Sequence, residues 1–399
     1  MRKNIFAFGG TLLLFALAFR SDWVLNRLLP NFSAWEWVFR FLSCAAAFTV
    51  LAVGFRNQTA RMLSLVVMAC SLGLGLTEIV LVAQSPTPPE QRHLKGEEIR
   101  KAKNDPEARG FDEDCLDDNH PALGYAPKPM AMTAYSIKMH GDEIVYDVVY
   151  STLPSGWRVT PQNSNARSAV IFFGCSYTFG EGLNDGDTFP FKVGERLGSD
   201  FQVFNFGLSG YGSHQMLAQI ESGFLDEPAK KYGRMFVFYT TIYGHELRSG
   251  GYSHWDRHGP RYILNNGNLE RVGTFADIRE SPATQTFRKI FQNSKLYQRL
   301  RNSGALSRLH VAIMSRADKL LQERYNTRLC VILWPGAPYG ALLREAGVPY
   351  IAMGEIFPEM QENKNKKYHI SEYDGHPNSL ATDALADLLV KKIVTHYSN

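Results

Sequence analysis

The chain has 399 residues, 45% hydrophobic and 12% aromatic, enough for one large or two modest domains. Its net charge of +4 is too small to point to nucleic acid, and no basic run is interleaved with aromatics. Nucleic acid is therefore excluded as a partner.

The apolar residues concentrate in residues 1–84, which read as a membrane region. Three segments stand out, roughly Ile5–Phe19, Trp35–Phe55 and Met62–Ala83. A bilayer core takes about 17–25 apolar residues as a helix, and the second and third segments meet this. The first is short and follows Arg2 and Lys3, as in a signal peptide. No small-residue cleavage site follows it, however, so three retained transmembrane helices are expected. Arg2, Lys3, Arg56 and Arg61 mark the cytoplasmic loops, which places everything after Ala83 outside. Arg40 lies near enough to the outer face to snorkel, and Trp23, Trp35 and Trp37 flank the outer loop.

Residues 85–167 read as a linker and a small β-rich lobe. Gln84–Glu90 carries three prolines, a stiff polar exit from the membrane. The charged run Glu90–Asp118 predicts a helix and then irregular chain. Tyr135–Met139 and Ile144–Tyr150, joined through His140-Gly-Asp, predict a hairpin. This lobe can cover one side of a site, but nothing in it carries chemistry.

Residues 168–399, with an insertion at about 248–302, alternate strand and helix. Val170–Phe173 is an apolar run long enough for a buried strand, and it leads straight into Gly174-Cys175-Ser176. Further strands are predicted at Phe201–Asn205, Met235–Ile242, Leu329–Trp334 and Tyr350–Met353. Asn265-Asn-Gly267 signals a hairpin within the insertion, and two amphipathic helices are expected between about Pro282 and Tyr325. The alternation predicts an α/β fold with a doubly wound parallel sheet.

Ligands of such sheets bind at the carboxyl ends of the strands, and the reactive residues collect there. Ser176 follows the first strand, Asn205 and Gly207 the second, and His245 the third. Asp374-Gly-His376-Pro-Asn378 precedes the last helix. Acyl transfer needs a nucleophile, a base and oxyanion donors. Ser176 and His376 supply the first two, Asp374 can hold the imidazole tautomer, and the N–H groups of Ser176 and Gly207 can supply the donors.

The blocks Gly174-Cys-Ser176-Tyr-Thr-Phe-Gly180, Asn205-Phe-Gly207-Leu-Ser-Gly210-Tyr-Gly212 and Asp374-Gly-His376-Pro-Asn378 resemble, in order, those of the SGNH (GDSL-like) hydrolase superfamily. The resemblance covers about residues 168–396. It implies a flavodoxin-like fold, Ser176 as nucleophile, His376 as base, Asp374 as its orienter, and Ser176 and Gly207 as oxyanion donors. Two departures stand against it. The family's third block offers an Asn side chain, where this chain has Ile242-Tyr-Gly244-His245. Either the His245 ring donates in its place, with Asn205 a further candidate donor, or His245 braces its loop through Glu246 or Arg248. The family's usual Asp-x-x-His is shortened to Asp-x-His, as in related envelope acetyltransferases.

The resemblance implies an extracytoplasmic serine esterase removing O-acyl groups, acetyl above all, from an envelope polysaccharide or glycolipid. The setting expected is a bacterial cytoplasmic membrane, multi-pass, with the catalytic domain periplasmic. An O-acyltransferase with a partner acyl donor or polysaccharide-export protein, and a non-catalytic polysaccharide-binding subunit, are the alternatives. No cofactor or metal is expected: His254-Trp-Asp-Arg-His258 lacks a third ligand, and Gly207–Gly212 lacks the spacing and lysine of a phosphate loop. Cys115, Cys175 and Cys330, all beyond the membrane region, are expected to be free.

Overall fold

The computed structural model of the chain describes residues 36–55, 57–83, 91–277, 304–362 and 366–397. They fall into two compact units, 36–83 and the remainder from residue 91 onward. In the first, α1 (Glu36–Gly54) is followed after a tight turn by α2 (Gln58–Ala83). The two helices touch where Gly75 lacks the Cβ that would lie 3.2 Å from Phe41 Cβ.

The expectation of three transmembrane helices is not supported. Among the described residues, one stretch, Gln58–Val80 of α2, is long and apolar enough to cross a membrane. Its Met62, Leu63, Val66 and Leu76 are exposed, which suits a lipid-facing helix better than a core helix. In α1, Glu36 and Arg40 leave the apolar part at Arg40–Val53. That is about 21 Å of helix against a hydrocarbon core of about 30 Å. The Ile5–Phe19 segment and the Gln84–Glu90 linker lie outside the described residues.

The second unit opens with β1 (Gln91–His93), β2 (Leu116–His120), β3 (Gly124–Pro127), β4 (Met132–His140) and β5 (Glu143–Thr152). β1, β4 and β5 form an antiparallel sheet in that order, with the expected β4–β5 hairpin turning at Gly141-Asp142. The charged run thus gives strands β1 and β2 besides its helix at Gly96–Lys103, because β1 finds a partner edge in β4.

After these come β6 (Ser168–Phe173), α3 (Ser176–Phe179), α4 (Phe189–Leu197), β7 (Phe201–Asn205), α5 (Ser213–Glu221), β8 (Arg234–Thr241) and α6 (His245–Ser249). The hairpin of β9 (Pro260–Asn265) and β10 (Asn268–Thr274) turns on Asn266 and Gly267, both at positive φ as a two-residue turn requires. Then follow α7 (Gly304–Tyr325), β11 (Leu329–Leu333), β12 (Tyr350–Ala352) and α8 (Ser379–Tyr397). The first helix expected in the insertion falls outside the described residues; α7 is the second.

β12, β11, β8, β6 and β7 form, in that spatial order, an all-parallel sheet. Read by sequence, this is the flavodoxin-like order 2-1-3-4-5. Alternate residues of each strand enter opposite cores, as a sheet covered on both faces demands. Ala169, Ile171 and Phe173 pack on one side with Met216, Leu217 and Met314 of α5 and α7. Val170 and Phe172 pack on the other with Phe189, Val193, Leu385 and Leu389 of α4 and α8. The strand order reverses between β6 and β8, and the loop after β6 carries Ser176.

Candidate active site

Ser176 is held by the turn that ends β6. Cys175 is the extended N-cap and Ser176 the first residue of the one-turn helix α3. Only glycine fits at 174, since a Cβ there would lie 2.1 Å from Thr178 Oγ1. A residue in the first helical turn has no intrahelical acceptor for its N–H. Ser176 N–H accordingly has no partner among the described residues.

His376 comes from the loop before α8. Its Nε2 lies 2.8 Å from Ser176 Oγ and its Nδ1 2.6 Å from Asp374 Oδ1. The same Asp374 Oδ1 accepts the His376 backbone N–H at 2.9 Å. This i to i+2 fold-back is an Asx turn, and it explains why the short Asp-x-His spacing suffices: the loop bends the carboxylate onto the ring. Tyr177 pins the same loop by donating to Gly375 O at 3.1 Å, and its ring packs 5.3 Å from the imidazole and 5.1 Å from Trp334. With Nδ1 protonated, Nε2 is free to take the serine proton.

Two charged residues that the sequence did not single out complete the cluster. Lys138 of β4 donates to Asp374 Oδ2 at 2.8 Å, with side chains 11% and 1% exposed. The small lobe therefore does reach the chemistry. Glu181, between Gly180 and Gly182, places Oε2 3.8 Å from His376 Nε2 and accepts the Ser209 hydroxyl at 2.7 Å. Burial pushes the Asp374 carboxyl up, but the His376 hydrogen bond and charge, together with Lys138, hold it well below the usual carboxylate range. Burial works against a charged His376, yet the Glu181 and Asp374 carboxylates outweigh it and raise the ring above 6.5.

That direction has a consequence. Only neutral imidazole can accept a proton, so ester hydrolysis should climb as pH rises through the raised His376 value. Glu181 is the largest raising influence. Glu181→Gln should therefore move the midpoint of the kcat/KM profile to lower pH. A midpoint that stays or rises would show that Glu181 does not act on the ring. Linkage has the opposite sense for folding: the raised His376 stabilises the fold below pH 6.5, and this is lost as pH rises through the folded value.

The oxyanion expectations need correction. Gly207 N–H is donated to Asn205 Oδ1 at 3.1 Å, and Asn205 Nδ2 to Thr178 O at 3.0 Å. Neither is a free donor; together they staple the end of β7 to α3. Glycine at 207 serves packing, because a Cβ would lie 2.7 Å from Thr178 Cβ and 2.8 Å from Phe179 N. Three residues on, Leu208–Tyr211 forms a turn closed by Tyr211 N–H to Leu208 O at 3.1 Å, with Gly210 at φ +85°. That is the φ > 0 position of a type II turn. The Gly210 N–H makes no hydrogen bond among the described residues, and the turn borders His376 through Ser209 and Glu181.

His245 is not a free donor either. It is fully buried at the start of α6, with Nδ1 2.9 Å from Tyr239 Oη and Nε2 3.3 Å from Arg248 Nη1. Burial and the Arg248 charge keep it neutral, well below the ordinary value. It braces its loop. The described residues contain no group of histidine, cysteine and carboxylate side chains arranged to hold a metal. Cys115, Cys175 and Cys330 are all free.

Sheet order, strand-end serine and the Ser176–His376–Asp374 geometry together define a doubly wound α/β domain carrying a serine triad. Comparison with solved structures finds similarity to a protein of the lipolytic G-D-S-L family from Desulfitobacterium hafniense, at 12% identity, over 56% of this chain and 98% of that one, with a TM-score of 0.31. Similar figures hold for a lipolytic G-D-S-L family member from Veillonella parvula: 12% identity, 55% and 94% coverage, TM-score 0.30. For AlinE4, an SGNH-hydrolase family esterase, they are 16%, 60% and 98%, and 0.27. No protein-family model matches the sequence, and no curated protein does.

Proposed function

We propose that this chain is a membrane-anchored serine esterase of the SGNH type. It removes O-acyl groups, acetyl foremost, from an extracytoplasmic polysaccharide or glycolipid through an acyl-enzyme. The observation that carries the reading is the 2.8 Å contact of Ser176 Oγ with His376 Nε2, backed by Asp374. Ser176 Oγ adds to the ester carbonyl carbon while its proton passes to Nε2. The charged ring is held by Asp374 at Nδ1, and the N–H groups of Ser176 and Gly210, which make no hydrogen bond among the described residues, are the donors assigned to the developing oxyanion. The ester C–O bond breaks as Nε2 returns the proton to the leaving hydroxyl. Water repeats the sequence on acyl-Ser176 and releases the carboxylic acid.

The apolar α2 supports anchoring, and O-acetylated envelope glycans are the substrates that the resemblance suggests. Transfer to a sugar hydroxyl instead of water uses the same steps, with Glu181 beside Nε2 able to accept a hydrogen bond from either incoming hydroxyl. A non-catalytic reading drew on the short Asp374–His376 spacing and on the missing Asn of the third block; the Asx turn answers the first, and the second stands.

The test uses the full chain in detergent with 4-nitrophenyl acetate, for wild type, Ser176→Ala and His376→Ala. Residual catalysis after loss of a triad member sits about a thousandfold or more below wild type. Wild-type turnover that both variants retain would sink the reading. Acetyl appearing on an added envelope oligosaccharide would move it to transfer.

A further inference from the structure

The catalytic His–Asp loop is clasped by the lobe that precedes the α/β domain. β1 and β4 pair so that Gln91 faces His140 and His93 faces Lys138, while β4 and β5 set Lys138 opposite Tyr146. His93, Lys138 and Tyr146 thus stand in one cross-strand row, with His93 Nε2 2.8 Å from Tyr146 Oη. At the end of the row, Gln91 Nε2 donates to Tyr373 O, and the His140 ring stacks on Tyr373 at 3.9 Å and 21°. Lys138 reaches the next residue, Asp374.

The register explains how a lysine comes to point inward. A bulge lies between Lys138 and Met139, where the partner strand passes from Tyr146 to Ile144. Ile137 and Lys138, neighbours that a strand sends to opposite faces, are both buried. The bulge follows Lys138, and up to it the pairing is regular. Lys138 shares its face with Ala134 and with Tyr146, Val148 and Tyr150 of β5, all buried, so ordinary alternation carries it inward on a sheet covered on both faces. A buried ammonium needs a paired charge, and Asp374 supplies it.

We propose that Lys138 is a positioning residue of the triad, holding Asp374 Oδ2 so that Oδ1 stays aligned with His376 Nδ1. The lobe is then a working part of the catalytic machinery. Asp374 Oδ1 already serves the ring and the backbone N–H of His376, so Oδ2 is the oxygen left to be fixed. With Lys138 gone the carboxylate can rotate about its Cβ–Cγ bond, and the imidazole loses its orientation. This inference rests on Ser176, His376 and Asp374 acting as a triad. It does not depend on which ester is the substrate.

The readout is the rate at which a fluorophosphonate labels Ser176, which needs an activated serine but no acyl substrate, measured on the full chain in detergent. Lys138→Met should label about ten- to a hundredfold more slowly, the scale on which outer-shell partners act. Lys138→Arg, which keeps the charge and a donor, should recover most of the rate. Ester hydrolysis should show the loss in kcat with KM little changed.

Removing one member of a buried pair can also unfold a site, so the double variant decides. In an Asp374→Asn background, Lys138→Met should add little further loss. Full-rate labelling of a folded Lys138→Met chain, no recovery with Arg, or an equal further loss in the Asn background would each overturn the proposal. Labelling of wild type without turnover of any ester would end the esterase reading and leave Lys138 still tested. Wild type that is never labelled at Ser176 would end both.

Discussion

Asp374→Asn should lower kcat for 4-nitrophenyl acetate by about ten-thousandfold, the scale for loss of a triad carboxylate, with KM nearly unchanged. Asp374 Oδ1 accepts from both Nδ1 and the backbone N–H of His376. An amide in its place can satisfy the backbone with its oxygen, but its NH2 group then meets Lys138, a donor against a donor. Turning the amide round relieves that clash and sets NH2 against Nδ1. The ring then carries its proton on Nε2, where Ser176 Oγ needs an acceptor. The second orientation disables the base; the first keeps the tautomer but sets two donors together and no longer offers the imidazolium a negative charge. The change leaves the buried Lys138 ammonium without its paired charge, so a lower melting midpoint is expected beside the loss of rate, and kcat is compared at a temperature where both chains are folded. A kcat within tenfold of wild type would mean that His376 is oriented by something other than Asp374.

The part of this site that was legible in the sequence is the part that local chain geometry sets. β6 is a run of six buried residues ending at a glycine that nothing larger can replace, so a serine at its end was readable. The Asp374–His376 pair lies within one turn, and the turn itself makes the contact. Lys138 was not readable for the opposite reason. Alternation puts it on the face opposite Ile137, and only the fold shows that this second face is covered too: Lys138 pairs beside Tyr146 and reaches Asp374, 236 residues away. Gly207 and Gly210 differ in the same way. Both sit in a glycine-rich loop, and only the hydrogen bond that Gly207 N–H donates to Asn205 Oδ1 reveals which N–H is already engaged. His245 looked like a donor because it follows a strand end, but Tyr239 and Arg248 enclose it from the core side. In residues 36–83, hydropathy marked α1 as a span, and its two charges cut the apolar length below that of a bilayer core.

Arg158→Met should cost about 3–5 kcal/mol of unfolding free energy, the range for breaking a buried, hydrogen-bonded charge. Arg158 is 1% exposed, and its guanidinium bonds to four residues of the loop that follows Ser176. Nε pairs with Asp185 Oδ1 at 3.0 Å, Nη1 donates to Phe179 O and Gly180 O, and Nη2 donates to Leu183 O at 2.7 Å. The plane stacks over the Tyr150 ring at 4.1 Å and the Phe179 ring at 4.7 Å. Methionine fills much of the volume but leaves three carbonyl oxygens and the Asp185 carboxylate without that donor. Lysine should rescue little, since one ammonium cannot span the fork of contacts or stack as a plane. The loop at stake carries Glu181 and ends α3, so disorder there should also slow Ser176. Chemical denaturation measures the stability, and hydrogen exchange at residues 180–188 reports whether the loss is centred on the loop. An Arg158→Lys chain as stable as wild type would show that charge alone suffices. An Arg158→Met chain within 1 kcal/mol of wild type would show that water replaces the guanidinium, and the loop would then owe its shape to Asn205 and Thr188 instead.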